Sequence, residues 1–193
     1  MRERIRRALA GTAGEGAAWA VPAADAPKDA FTAAAVLVPI IDRPAGMTVL
    51  LTQRTAHLPS HAGQISFPGG RMQKEDRTPE ETALRETEEE TGVHRRHVEI
   101  VGRLEVRETG TGYRVVPCVG LVAPGFDLRP DPSEVELAFE APFDFLMDPA
   151  NHRFENRVVR GAERQFYAIN YEHHYIWGLT ARLLVNLSEV LRA

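Results

Sequence analysis

One stretch fixes its own ends before any neighbour is considered: Thr78-Pro-Glu-Glu-Thr-Ala-Leu-Arg-Glu-Thr-Glu-Glu-Glu-Thr-Gly92. The Thr78 hydroxyl can accept from an amide of the first turn, and Glu81, three residues on, completes a reciprocal capping box. Pro79 takes the first helical position, where no amide donor is needed. Gly92 supplies the left-handed residue that stops a helix. The spacing therefore predicts a helix over about 79–91, with Ala83 and Leu84 helping to anchor it on a sheet. With both ends set, its register can be read.

In that register Glu86, Glu89 and Glu90 are three and four residues apart and share one face, while Glu88 points elsewhere. Like charges so spaced cost roughly 0.2–0.5 kcal/mol per pair on an isolated helix. They also crowd the end where the macrodipole disfavours anions. A compensating cation is expected, and Arg85 can offset one carboxylate but not all of them. Hard oxygen ligands suit Mg²⁺, Mn²⁺ or Ca²⁺ rather than zinc, and a site with water positions left open is one that shares its ion with substrate phosphates. Taken alone, an acidic helix reads as a solvated face. The loop ahead of it, His61-Ala-Gly-Gln-Ile-Ser-Phe-Pro-Gly-Gly70, alters that reading, because Gly69-Gly70 allows backbone to approach a metal or phosphate unobstructed.

Around this helix the 193 residues read as one α/β (α+β) domain, a mixed β-sheet covered by helices. Residues 1–30 form an N-terminal helix and an Ala-, Gly- and Pro-rich lead-in, and residues 31–193 the main domain. Phe31–Ile41 suits a strand buried on both faces, and Met47–Gln53 its hairpin partner. Val98–Val106 and Tyr113–Val122 read as strands, with Pro117 marking an edge or a bulge. Glu134–Phe139 reads as a strand, Pro142–Pro149 as a short helix, Phe166–Tyr171 as a last strand and Gly178–Arg192 as an amphipathic closing helix. The basic segment Met1–Ala10 reads as a solvated surface helix.

Composition narrows the function. A net charge of −4 argues against a nucleic-acid partner, which needs a basic footprint. Ala30–Ile41 is far short of the ~20 apolar residues of a membrane span. The single Cys118 excludes an internal disulfide, suits a reducing compartment and reads as a small core residue. A cytoplasmic location is the expectation; the oligomeric state stays open.

The combination resembles the Nudix box of the Nudix hydrolases, which cleave nucleoside diphosphates linked to another group. The family pattern is Gly, five residues, Glu, seven residues, then Arg-Glu-apolar-x-Glu-Glu-x-Gly-apolar. Arg85, Glu86, Glu89, Glu90, Gly92 and Val93 match it, and Thr87 stands where an apolar residue is usual. Gly70 to Arg85 is one residue longer than the pattern, and Asp76 occupies the place of the first Glu. Upstream, Leu50-Leu-Thr-Gln-Arg-Thr-Ala-His-Leu-Pro-Ser-His-Ala-Gly-Gln-Ile-Ser-Phe-Pro-Gly-Gly70 is similar to the motif preceding the box in coenzyme A pyrophosphatases. That group shares the extra residue and carries two Asp in the loop, at positions held here by Gln73 and Asp76, so Gln73 departs from it. Ile176-Trp-Gly-Leu-Thr-Ala181 also looks like this group.

The resemblance implies a Nudix fold for residues 31–193, a mixed sheet sandwiched between α-helices. It implies Mg²⁺ or Mn²⁺ held by Glu86 and Glu90, with Glu89 assisting and the Gly69 carbonyl completing the cage. It implies a small-molecule substrate, coenzyme A or a derivative, cut at its pyrophosphate to 4′-phosphopantetheine and adenosine 3′,5′-bisphosphate. Arg85 is expected to orient the glutamates. A carboxylate base is needed, because Mg²⁺ acidifies water less than zinc does; Glu89 is placed ahead of Glu134 and Glu136. Arg54, His61, Gln64 and Arg71 are the candidate substrate contacts, guanidinium groups being suited to phosphate. His173 and His174, with no acidic partner evident at metal spacing, are taken as structural. Two alternatives stand beside this reading: a Nudix enzyme for ADP-ribose, NADH or a dinucleotide, and a ligand-sensing module without catalysis, which the intact glutamates disfavour.

Overall fold

The computed structural model describes residues 1–11, 31–57, 63–159 and 162–193. The first helix, α1 (Arg2–Leu9), is followed by a long hairpin of β1 (Thr32–Arg43) and β2 (Gly46–Arg54). Two short strands, β3 (Ile65–Ser66) and β4 (Gly69–Arg71), lead into α2 (Pro79–Thr91). Then come β5 (Val98–Arg103), β6 (Arg107–Glu108), β7 (Tyr113–Val122), β8 (Val135–Pro142) and α3 (Phe143–Met147). A second sheet of β9 (Arg153–Val159), β10 (Ala162–Tyr171) and β11 (His174–Trp177) precedes α4 (Leu179–Arg192).

The main sheet is mixed, as expected. β1 runs antiparallel to β2 and β4 but parallel to β7, and β7 pairs antiparallel with β5 and β6. β1 is apolar throughout because both its faces are covered. Ala35 and Leu37 pack with Ala83 of α2, whereas Val36, Val38 and Ile40 face the core shared with α1, α3 and α4. The sheet is thus held between α2 on one side and the other helices on the other.

Three expectations need correction. β7 is an interior strand, not an edge; Pro117 lies opposite the break between β5 and β6, where its carbonyl still accepts from the Leu104 amide. The register shift lies in β5, between Ile100 and Gly102. α1 is not a solvated helix: Ile5 and Leu9 are fully buried in the main core, and only its arginine face reaches out, to Asp42 and Glu99. The single strand expected near Phe166–Tyr171 is the middle of a three-stranded antiparallel sheet. Cys118 is fully buried, and burial pushes its thiol up, as befits a core residue. No helix among the described residues is long and apolar enough to cross a membrane.

Candidate active site

α2 forms over the span its sequence dictates. The Thr78 hydroxyl accepts from the Glu81 amide, the Glu81 carboxylate accepts from the Arg77 amide, and Gly92 sits at φ +75°. Thr82, Ala83, Thr87 and Thr91 are the buried stripe. The hydroxyls of Thr87 and Thr91 donate to the carbonyls of Ala83 and Thr87, so polar side chains lie against the sheet without unmet hydrogen bonds. Glu88 turns away, as its register requires, to pair with Arg95.

The adjoining stripe carries Glu86, Glu89 and Glu90, with Glu90 itself buried. Gly70 of β4 faces it so closely that a Cβ there would stand 2.4 Å from the Glu86 carboxylate. Gly69, at φ +154°, meets the site through its N–H, which lies 3.4 Å from a Glu90 carboxylate oxygen. Glycine is needed at both positions, at one for the approach of a carboxylate and at the other for its backbone conformation.

Arg85 is held rather than free. Its guanidinium donates to both carboxylate oxygens of Asp76, at 3.2 and 2.8 Å, and to the Arg71 carbonyl at 3.0 Å. Its remaining nitrogen reaches Glu86 at 2.8 Å and Glu89 at 3.1 Å. Asp76 is itself buried and accepts from the Gln73 amide and the Thr82 hydroxyl. The Arg85 guanidinium beside it, aided by those donors against the cost of burial, holds its carboxyl at about 2. The position of Gln73 contributes its backbone amide here, which any residue but proline supplies.

The negative charge is not balanced. Glu90 is 4% exposed, and burial pushes its carboxyl up to about 8; Arg54 acts against this, while Glu86 and Glu134 add to it. Burial also raises Glu86. A buried, oxygen-only donor set with more negative charge than Arg85 and Arg54 can neutralise fits a hard divalent cation. Glu86 and Glu90 could hold such an ion, with Glu89, at 57% side-chain exposure, on the outer side.

Sequence reasoning did not foresee how the far end of α2 is closed. The amides of Arg129 and Asp131 donate to the carbonyls of Thr91 and Glu90, relieving the helix end that carries the acidic cluster. The same loop is tied to the residue just past β2, where the Thr55 amide donates to the Glu134 carbonyl. This places the exposed Glu134 within reach for its charge to act on Glu86 and Glu90.

Of the expected substrate contacts, Arg54 joins the cluster: its pairing with β8 shifts register there, Gln53 facing Leu137 and Arg54 facing Val135 with Glu136 the extra residue, and its guanidinium stands 3.9 Å from Glu90. Gln64 lies alongside, its carbonyl accepting from the Arg54 amide. Arg71 is not brought to the carboxylates. Strand alternation sends it to the face opposite Gly70, where it stacks on the Tyr113 ring and donates to its hydroxyl. His61 lies outside the described residues. Phe67 is buried in the core.

A family model of the NUDIX domain matches residues 31–160. The chain belongs to the Nudix family. This Nudix domain is 41% identical over 156 residues to an uncharacterized Nudix hydrolase, NudL, of Photorhabdus laumondii, covering 81% of this chain and 83% of that protein. It is 37% identical over 155 residues to NudL of Salmonella paratyphi B, also described as uncharacterized, covering 80% of each. Among solved structures it resembles a binary complex of the Ap4A hydrolase of C. elegans, with a TM-score of 0.50, 20% identity, and 57% of this chain and 80% of that one covered. It also resembles RenU, a Nudix hydrolase of M. smegmatis, with a TM-score of 0.51, 20% identity, and 67% and 81% covered. At that identity the two structures speak for the Nudix fold alone. Nudix hydrolases generally use divalent metal ions such as Mg²⁺.

Proposed function

We propose that this Nudix hydrolase cleaves the pyrophosphate of coenzyme A or a coenzyme A derivative, releasing 4′-phosphopantetheine and adenosine 3′,5′-bisphosphate. The observation that carries the reading is the meeting of Arg54 with Glu90. Residues 50–57 and 63–70, the described parts of the segment similar to the coenzyme A pyrophosphatase motif, thereby adjoin the carboxylates of α2.

A pyrophosphate diester is anionic and repels a nucleophile. Glu86 and Glu90 would hold Mg²⁺ or Mn²⁺, with Glu89 and the Gly69 backbone beside it. Such an ion supplies neutralisation of the diphosphate charge and a more acidic water. Asp76 fixes Arg85, and Arg85 in turn fixes Glu86 and Glu89, so the carboxylates are oriented before substrate arrives. Arg54, now 3.9 Å from Glu90, would turn to a substrate phosphate. For the proton acceptor we favour Glu134 over Glu89: Glu89 is engaged by Arg85, whereas Glu134 has no ion pair among the described residues and its charge acts on Glu86 and Glu90.

The test is substrate-resolved turnover of the purified chain with Mg²⁺. Coenzyme A, its 3′-dephospho form, NADH and ADP-ribose are supplied separately and the products separated by chromatography. Release of adenosine 3′,5′-bisphosphate from coenzyme A, faster than any cleavage of ADP-ribose or NADH, is the expected result. Preference for ADP-ribose or NADH would overturn the substrate and keep the reaction type.

A further inference from the structure

A second group of metal-ligating side chains lies at the tip of the hairpin joining β10 to β11. Tyr171 and His174 are paired across the strands, leaving Glu172 and His173 as a two-residue loop. One ligand atom from each of Glu172, His173 and His174 falls within a span of 4.8 Å. The acidic partner missing from the sequence reading of the two histidines is thus their own neighbour in the chain, turned toward them by the loop.

We propose that Glu172, His173 and His174 form a binding site for a borderline divalent ion of the Zn²⁺ class. Mixed imidazole and carboxylate donors select this class, in contrast to the oxygen-only set on α2. The site is partly preorganised. His174 is buried, its ring stacked on Phe139 at 3.8 Å between centroids with 8° between planes, so its orientation is fixed by packing against β8. The His173 ring stands 4.0 Å from it. Donor atoms around a tetrahedral zinc stand roughly 3.3 Å apart, given bonds near 2.0 Å. Rotation of the exposed Glu172 and His173 side chains about a fixed His174 closes the difference.

The backbone supports the assignment. Glu172 sits at φ +52° and is the only described non-glycine residue with positive φ, in a place that glycine or asparagine fills at lower conformational cost. Three protein donors leave a fourth position for water or for a donor from another molecule.

The experiment is a Zn²⁺ titration of the full chain against a chromogenic chelator, in excess Mg²⁺ to occupy the acidic helix. One Zn²⁺ per chain is expected to bind. Affinity should fall by about tenfold or more in His173→Ala and in Glu172→Gly, and stay unchanged in the double variant Glu86→Gln/Glu90→Gln. Glu172→Gly relieves the left-handed strain, so it should also melt at or above the parent temperature without metal, which separates a lost ligand from a damaged fold. Absence of Zn²⁺ binding by the Mg²⁺-loaded chain overturns the proposal. So does binding that survives both hairpin variants or disappears with Glu86 and Glu90. Neither result bears on the coenzyme A reading, which involves none of these residues.

Discussion

The Arg85 guanidinium lies against the Asp76 carboxylate, with one nitrogen on each oxygen, at 3.2 and 2.8 Å. Both groups are largely buried, and the pair joins the loop after β4 to the middle of α2. The two-point grip fixes the plane of the guanidinium and leaves its third nitrogen aimed at Glu86 and Glu89.

This pair should give the fold a specific acid dependence. Asp76 has its carboxyl lowered from 3.8 to about 2, so the stability it contributes is fully present above the unfolded value and is lost as pH falls through the folded one. The shift corresponds to about 2 kcal/mol. Asp76→Asn should be less stable than the parent by about that amount at pH 6, and the gap should close on approaching pH 2. Urea unfolding followed across this range checks it; a gap independent of pH would mean the pair acts through packing alone.

Neutralising the buried carboxylate should separate stability from function. Glu90→Gln removes a buried group whose charge has no adequate partner without metal, so in chelator the variant should be more stable by about 1 kcal/mol or more. Glu86→Gln should shift in the same direction, by less, since Arg85 already pairs with Glu86. Both should lose the metal-induced rise in melting temperature and more than about 100-fold in turnover. Melting curves with and without Mn²⁺, beside turnover, test the pair of effects. Full activity in both variants would remove the proposed metal site.

The two glycines of β4 should fail differently. Gly70→Ala places a methyl where the Glu86 carboxylate lies, and that flexible side chain can move aside. Activity should fall roughly 100-fold, the cost of about 1 Å of misplacement, with little change in melting temperature. In Gly69→Ala the new methyl meets the Ala35 carbonyl and the Val36 backbone in β1, and φ is unfavourable for a side chain. The fold itself should be weakened, visible as a lower melting temperature.

Among the proton-acceptor candidates, Glu134→Gln should lower kcat by about 100-fold or more with KM little changed, whereas Glu136→Gln should be near neutral. Steady-state kinetics on the three variants Glu89→Gln, Glu134→Gln and Glu136→Gln decides among them. The greatest loss of kcat in Glu89→Gln would return the role to the helix.

The N-terminal helix should matter to the whole domain. Ile5 is fully buried in the main core, so Ile5→Ala should cost about 2–5 kcal/mol. An unchanged urea midpoint would show that α1 is only lightly docked.

What the sequence determined by itself is what short-range interactions settle. The span of α2 follows from Thr78, Pro79, Glu81 and Gly92, each within a few residues of its partner, and the shared face of Glu86, Glu89 and Glu90 follows from helical period alone. The hairpin of β1 and β2 and the double-sided burial of β1 are legible for the same reason, since local alternation and a tight turn carry them. The tertiary structure decided the rest. That the amides of Arg129 and Asp131 close the end of α2, that the charge of Glu134 reaches the carboxylates, that Arg71 is diverted to Tyr113 and that Pro117 lies opposite a break in the neighbouring strands depend on segments far apart in the chain. So does the burial of Ile5 and Leu9: a basic helix with two apolar residues looks solvated until α4 and β5 offer those residues a surface. Local geometry is fixed by covalent spacing and hydrogen-bond reach, whereas which distant groups meet is set by how all the apolar faces are buried at once, and no stretch of sequence holds that information alone.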